Sequence, residues 1–228
     1  MMPGIGSQNF EDAPSAREST FMHNHDIKKE RRDLYSARSD RFGIVDVPRL
    51  DFLMADGRGD PNTSADHRAV VEALYTTSYA VRALAKRQLG RTHTVGPLEG
   101  LWYADDLGVF AGRDHDAWKW TLMIVQPGWI TPDMIEEAMG DVARKKDLPA
   151  GDRVRFEDLT EGRCAQILHL GPYHEEGPTI ARMHEEFMPA ERLVPRGHHH
   201  EIYLSDARRT DPSRLRTILR QPVAPAPG

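Results

Sequence analysis

Apolar residues recur at Val70, Leu74, Val81 and Leu84, with Thr77 in the same series, at intervals of three and four. That spacing puts them on one stripe of a helix from about Ser64 to Arg87, and such a stripe must cover a sheet. Short β-prone runs surround it. Val45-Asp46-Val47 and Leu50 to Met54 flank Pro48 and end at the turn Gly57-Arg58-Gly59-Asp60-Pro61. Leu98 to Tyr103 and Trp118 to Val125 read as two further strands, joined by a polar hairpin connection containing Gly and Asp. Thr131-Pro132 supplies an N-cap and a first-turn proline for a helix carrying Met134, Ile135, Ala138, Met139 and Val142.

The pattern then repeats. Strands are expected near Arg153 to Leu159 and Arg163 to Leu170, followed by the turn Gly171-Pro172-Tyr173 and a shorter helix from Pro178 to Met188. The strand containing Glu201 comes next, and Asp211-Pro212 is read as the cap of a last short helix through Leu215 and Ile218. Two halves, about 44–147 and 152–223, thus share the order strand, Gly/Pro turn, helix, strand. The fold class expected is α+β with a mostly antiparallel sheet. Residues 1–24 and the tail 224–228, rich in Gly, Ser and Pro, are expected to be disordered.

Composition narrows the function. The 228 residues carry 35 acids against 30 bases, a net charge of −5. The one base-rich run, Lys28 to Asp33, is interleaved with acids, so nucleic acid is not an expected partner. A single cysteine, Cys164, excludes an internal disulfide and reads as a buried structural thiol. No apolar run approaches the ~20 residues that span a bilayer, and a soluble cytoplasmic protein is expected. Phosphate loops, nucleophile elbows and zinc-protease helices are lacking, and no cofactor is expected.

Candidate chemistry centres on His199-His200-Glu201-Ile202-Tyr203. Alternation sets Glu201 and Tyr203 on one face of a strand and Ile202 on the other. A carboxylate beside an aromatic ring can hold an organic cation or act as a base of raised pKa, or it can be an ordinary surface pair. In Glu99-Gly100-Leu101-Trp102-Tyr103, Trp102 lies opposite Glu99 and Tyr103, so either the tryptophan or the acid and tyrosine face a ligand. Trp118 and Trp120 share a face with Leu122 and Ile124, as in a sheet core. Tyr173 sits at a strand-to-helix turn, whereas Glu175 and Glu176 suit the positive end of the next helix. His198 and His200 alone do not make a metal site, and none is assigned.

Val47 to Pro61, Pro97 to Trp102, Gly171-Pro172-Tyr173, His199 to Asp206 and Leu215 to Val223 together resemble the GyrI-like small-molecule-binding family, over about residues 28–223. The resemblance implies two pseudo-symmetric β-α-β-β units with a ligand cleft between them. Some members are effector domains of multidrug-responsive regulators. With no helix-turn-helix segment, this chain looks like the stand-alone members, whose relatives hydrolyse the strained ring of cyclopropane-bearing, DNA-alkylating natural products. Pocket aromatics there hold the flat ligand while a glutamate assists the attack of water. Carried over, Glu201 becomes the catalytic residue, and Trp102, Tyr173, Tyr203, Glu99 and Tyr103 the ligand-binding ones. Tyr103 stands where many relatives have a second tryptophan, and the segment Leu107 to Asp116 falls in a region that shapes the pocket. The implied function is binding of flat aromatic or cationic xenobiotics, with cyclopropane hydrolysis as its chemistry. The alternatives are a binding-only protein that sequesters or senses drugs, or a modulator of a protein such as DNA gyrase.

Overall fold

The computed structural model describes residues 24–103 and 117–227. An N-terminal arm comprises strand β1 (Asn24–His25) and the single-turn helices α1 (Ile27–Glu30) and α2 (Arg32–Tyr35). The first half follows as β2 (Gly43–Arg58), α3 (Ala65–Leu89), the short β3 (Thr92–His93), β4 (Leu98–Tyr103), β5 (Lys119–Gln126) and α4 (Pro132–Lys145). The second half is β6 (Arg155–Leu170), α5 (Gly177–Arg182), α6 (Met188–Ala190), β7 (Leu193–Pro195), β8 (His199–Tyr203) and β9 (Arg216–Pro225).

Six strands pair in the order β6-β2-β5-β4-β8-β9, and β9 returns to pair with β6. Every pairing in this ring is antiparallel. The result is a closed α+β barrel whose halves, β2-α3-β4-β5 and β6-α5-β8-β9, meet twice, at β2 with β6 and at β4 with β8. Inside lie Phe52, Met54, Leu101, Met123, Ile202 and Ile218, together with Ile27, Leu34 and Tyr35 of the arm. Outside, α3 and α4 cover Leu53, Ala55, Trp120, Leu122 and Ile124. The helical segment of the second half covers Ala165, Ile167 and Leu219 through Met183 and Met188.

The helix of the first half is capped as its sequence predicts, with Ser64 Oγ accepting from His67 N and Gly90 closing the helix in the left-handed region at φ 63°. Trp120 is fully buried and packs over Gly57, its partner across the ladder, where a Cβ would fall inside the indole. Cys164 is buried, and burial pushes its thiol up to about 12.

Several elements differ from the sequence reading. The two short strands around Pro48 are one strand of 16 residues. Pairing to β5 starts only at Asp51, so the missing N–H of Pro48 leaves that ladder intact. Across Pro48 the inward residues change parity, from Val45 and Val47 to Leu50 and Phe52. The facing strand β6, also read as two, turns the same corner at Gly162, whose φ of 65° suits a residue without a Cβ. The second-half helix is interrupted by a π-helical stretch at Met183–Phe187, just before Pro189, which has no N–H to continue the α ladder. The expected last helix is a 3₁₀ turn, Pro212–Arg214, and Leu215 with Ile218 lead into β9. Their spacing of three is helix-like, but β8 and β6 both offer open edges that this segment fills. β9 continues through Ala224 and Pro225, which pair with Val194 and Leu193, so this part of the expected tail is strand. Asn24 likewise pairs with Thr92. Residues 1–23, Gly228 and the segment Leu107 to Asp116 lie outside the described residues.

Candidate functional site

The β4–β8 seam is where the first half meets the second, and its register fixes which side chains share a face. Leu98 pairs with Tyr203, Gly100 with Glu201, and Trp102 with His199. Directly opposed residues of an antiparallel pair project to the same side, so Trp102, His199, Glu201 and Tyr203 all stand on the outer, helix-bearing face. Gly100 contributes no side chain there, and the Trp102 indole and Leu122 close over it: a Cβ at this position would lie 3.1 Å from Trp102 Nε1 and 3.4 Å from Leu122 Cδ2.

Within this face Trp102 Nε1 donates to Tyr203 Oη at 3.1 Å, and Tyr203 Oη donates to Glu201 Oε2 at 2.7 Å. The relay consumes the phenol's proton, so Tyr203 acts as donor to the acid. The Tyr173 ring meets that of Tyr203 edge-on, with centroids 5.4 Å apart, and Trp118 meets Trp102 in the same way at 5.7 Å. Tyr173 is partly exposed and forms the outer lip of the cluster.

Electrostatics make the site unusual. Burial raises Glu201 to about 7, against the opposing pull of the Tyr203 hydroxyl and the His200 charge. Glu176, at the turn leading into α5, is only 4 % exposed, and its Oε1 has no hydrogen-bond partner. Burial first and the Glu201 charge second push it up to about 9. Of the two acids, Glu176 is the more strongly raised, so it is the one that keeps a proton near neutral pH. His199 Nε2 lies 3.7 Å from Glu201 Oε1, and burial lowers His199 to about 3, so it is neutral.

Four of the residues singled out from sequence, Trp102, Tyr173, Glu201 and Tyr203, are therefore brought together. Glu99 and Tyr103 are on the other face. Glu99 is fully buried inside the barrel, where it accepts from Tyr35 Oη at 2.9 Å and meets His200 Nε2 at 3.0 Å. Tyr103 stacks on His198 with ring centroids 4.3 Å apart. Sequence reasoning passed over Glu176 because its place before a helix already explained an acid. The signal available was the neighbouring Gly171-Pro172 and Gly177-Pro178, which bend the chain so that one of the two glutamates turns inward while Glu175 stays exposed. Among the described residues no group of three or more His, Cys, Asp or Glu is arranged to hold a metal ion, and no helix is long and apolar enough to cross a membrane.

The sequence model of the GyrI-like small molecule binding domain matches residues 42–224. Among solved structures, an uncharacterised conserved protein from Listeria innocua shares 36 % identity over 88 % of this chain and 100 % of its own, with a TM-score of 0.79. Two structures described as hydrolases from Listeria innocua share 35 % and 34 % identity over 89 % and 88 % of this chain and 100 % of theirs, with TM-scores of 0.78 and 0.77. No curated protein matches.

Proposed function

Because this chain belongs to the GyrI-like small-molecule-binding family, we propose that its ligands are flat aromatic or cationic molecules, bound between Trp102, Tyr173 and Tyr203 and facing the Glu201 carboxylate. We further propose that it hydrolyses those whose ring system carries an electrophilic cyclopropane. The observation that carries this reading is the half-buried acid at the centre of an aromatic cluster, held by the Trp102–Tyr203 relay and raised to about 7 by its poor solvation. A carboxyl of that kind serves both a cation and an incoming water. The hydrolase names of two relatives at about one-third identity support the second role.

The chemistry balances within the cluster. Glu201 takes a proton from water as its oxygen bonds to a cyclopropane carbon. The strained C–C bond breaks, and its electron pair passes through the conjugated ring to an acceptor oxygen. Glu176, protonated, is the group on hand to deliver a proton to that oxygen, after which Glu201 returns its proton to Glu176 through solvent. General-base assistance contributes roughly 10²–10⁴-fold. The test is incubation of a cyclopropane-bearing alkylator with the parent and with Glu201→Gln, followed by mass spectrometry for a product heavier by one water. Loss of turnover in the variant with ligand still bound is expected. Equal turnover in both removes Glu201 as the base, and ligand recovered unchanged from the parent leaves a binding-only protein.

A further inference from the structure

Behind the Glu201 face, inside the ring, runs a chain of buried polar groups that the proposed function does not use. His200 is fully buried, with Nε2 3.0 Å from Glu99 Oε2 and Nδ1 3.0 Å from Glu161 Oε1. Against the effect of burial, these two partners raise His200 to about 9, so the side chain is an imidazolium near neutral pH. Glu161 accepts from Arg220 Nη1 at 3.2 Å through its second oxygen. Arg220 also donates to Gln166 Oε1 and, at 2.6 Å, to the Leu34 carbonyl. The second oxygen of Glu99 takes the Tyr35 hydroxyl. Acidic and cationic side chains thus alternate through the buried interior, each held by partners on other elements.

The seam makes this interior relevant to the site. Consecutive strand residues point to opposite faces, so the His200 imidazolium stands directly behind the Glu201 backbone. Glu201 itself faces Tyr203, Tyr173, Trp102, the neutral His199 and the protonated Glu176, none of which brings a full positive charge.

We propose that His200 is a positioning residue for Glu201. Clamped between Glu99 of β4 and Glu161 of β6, it holds β8 in register and sets a fixed positive charge on the reverse of the strand that carries the Glu201 carboxylate. The clamp is completed by the N-terminal arm, whose Tyr35 and Leu34 lie ahead of the family-matched residues 42–224. The inference rests on the reading of Glu201 as the acid of the site, and its test needs no ligand.

Carbon-13 NMR of the glutamate carboxyls in the ligand-free protein, with the Glu201 resonance assigned by its loss in Glu201→Gln, reads the titration directly. In His200→Gln the Glu201 midpoint is expected to rise by about one pH unit, the scale on which one nearby charge acts. A merely structural role would lower the melting temperature without moving that midpoint, so an unshifted midpoint in a folded variant overturns the proposal. Should His200→Gln fail to fold, Glu99→Gln serves instead. Its amide oxygen still accepts from His200 and its amide nitrogen can donate to Tyr35, so the packing survives. One counter-anion is gone, and the Glu201 midpoint is expected to fall, with an unchanged or raised value overturning the proposal. Failure here leaves the proposed function untouched. A shifted midpoint without any ring opening removes only the catalytic role of Glu201.

Discussion

Raising the pH from about 6.5 to about 9 is expected to remove several kcal/mol from the stability of this fold, and Glu176→Gln is expected to return much of it. The reasoning counts protons. Glu176 and Glu201 rise from their ordinary 4.5 to about 9 and about 7, and His200 rises from 6.5 to about 9. For His200 the stabilisation is complete below 6.5 and is lost as pH rises through 9. For the two acids, an unfolded chain ionises first, so the folded state is penalised increasingly from 4.5 up to each raised value. All three shifts have the same sign: the folded chain holds protons that the unfolded chain has released. Each such proton lowers the unfolding free energy by about 1.4 kcal/mol per pH unit. With Glu176 and His200 both contributing above 6.5, the slope is twice that of a single proton, and the loss by pH 9 amounts to several kcal/mol. That is comparable with the whole stability of an ordinary domain, about 5–15 kcal/mol. Between 4.5 and 6.5 the slope nearly vanishes, because burial lowers His93 to about 4 and His199 to about 3 and these offset the two acids. Below 4.5 the loss of the Glu161 charge, held down to about 2 by His200 and Arg220 against its burial, destabilises the fold again. Urea unfolding across this pH range measures the curve. The parent should be most stable between about 4.5 and 6.5, and Glu176→Gln should have about half the alkaline slope. A flat alkaline limb, or one that Glu176→Gln leaves unchanged, refutes the reasoning.

Three further outcomes follow from the same contacts. Tyr203→Phe removes the donor to Glu201 and strands the Trp102 indole N–H, so it should cost about 1–3 kcal/mol and shift the Glu201 titration upward, read by denaturation and carboxyl NMR. Gly57→Ala drives a methyl into the Trp120 ring and should cost about 1–3 kcal/mol, with an altered near-UV circular dichroism spectrum; an unperturbed spectrum would mean that Trp120 does not pack there. A permanently cationic aromatic ligand should raise the melting temperature more at pH 8 than at pH 6, because it meets an ionised Glu201 at the higher pH; equal shifts at both would remove Glu201 as its counter-ion.

The sequence carried most of the secondary structure where the period was long or a cap was present. The Ser64 and Thr131 caps and the stripe through Val70 and Val81 give α3 and α4 nearly to the residue. It failed where pairing overrode local pattern, as at Leu215 and Ile218, and where a proline or glycine bends a strand without ending it, as at Pro48 and Gly162. The face shared by Glu201 and Tyr203 was readable from alternation. Which of Trp102 and Glu99 joined them was not, because that depends on the register between β4 and β8, set by the closure of the whole ring. The interior network was illegible for the same reason. His200, Glu161 and Arg220 are separated along the chain and become neighbours only when β6, β8 and β9 have paired.

The double use of β6 has a consequence for how the chain reaches this state. During synthesis the first half emerges with β2 and β4 each lacking a neighbour, since their partners β6 and β8 belong to residues made later. Two sticky margins therefore wait for the ribosome to deliver the rest, the kind of intermediate that associates with other nascent chains. Most of the pairing that seals the ring is distant along the sequence, which favours slow, late closure. Truncation anywhere before β9 should thus leave an aggregating fragment and not a smaller working protein.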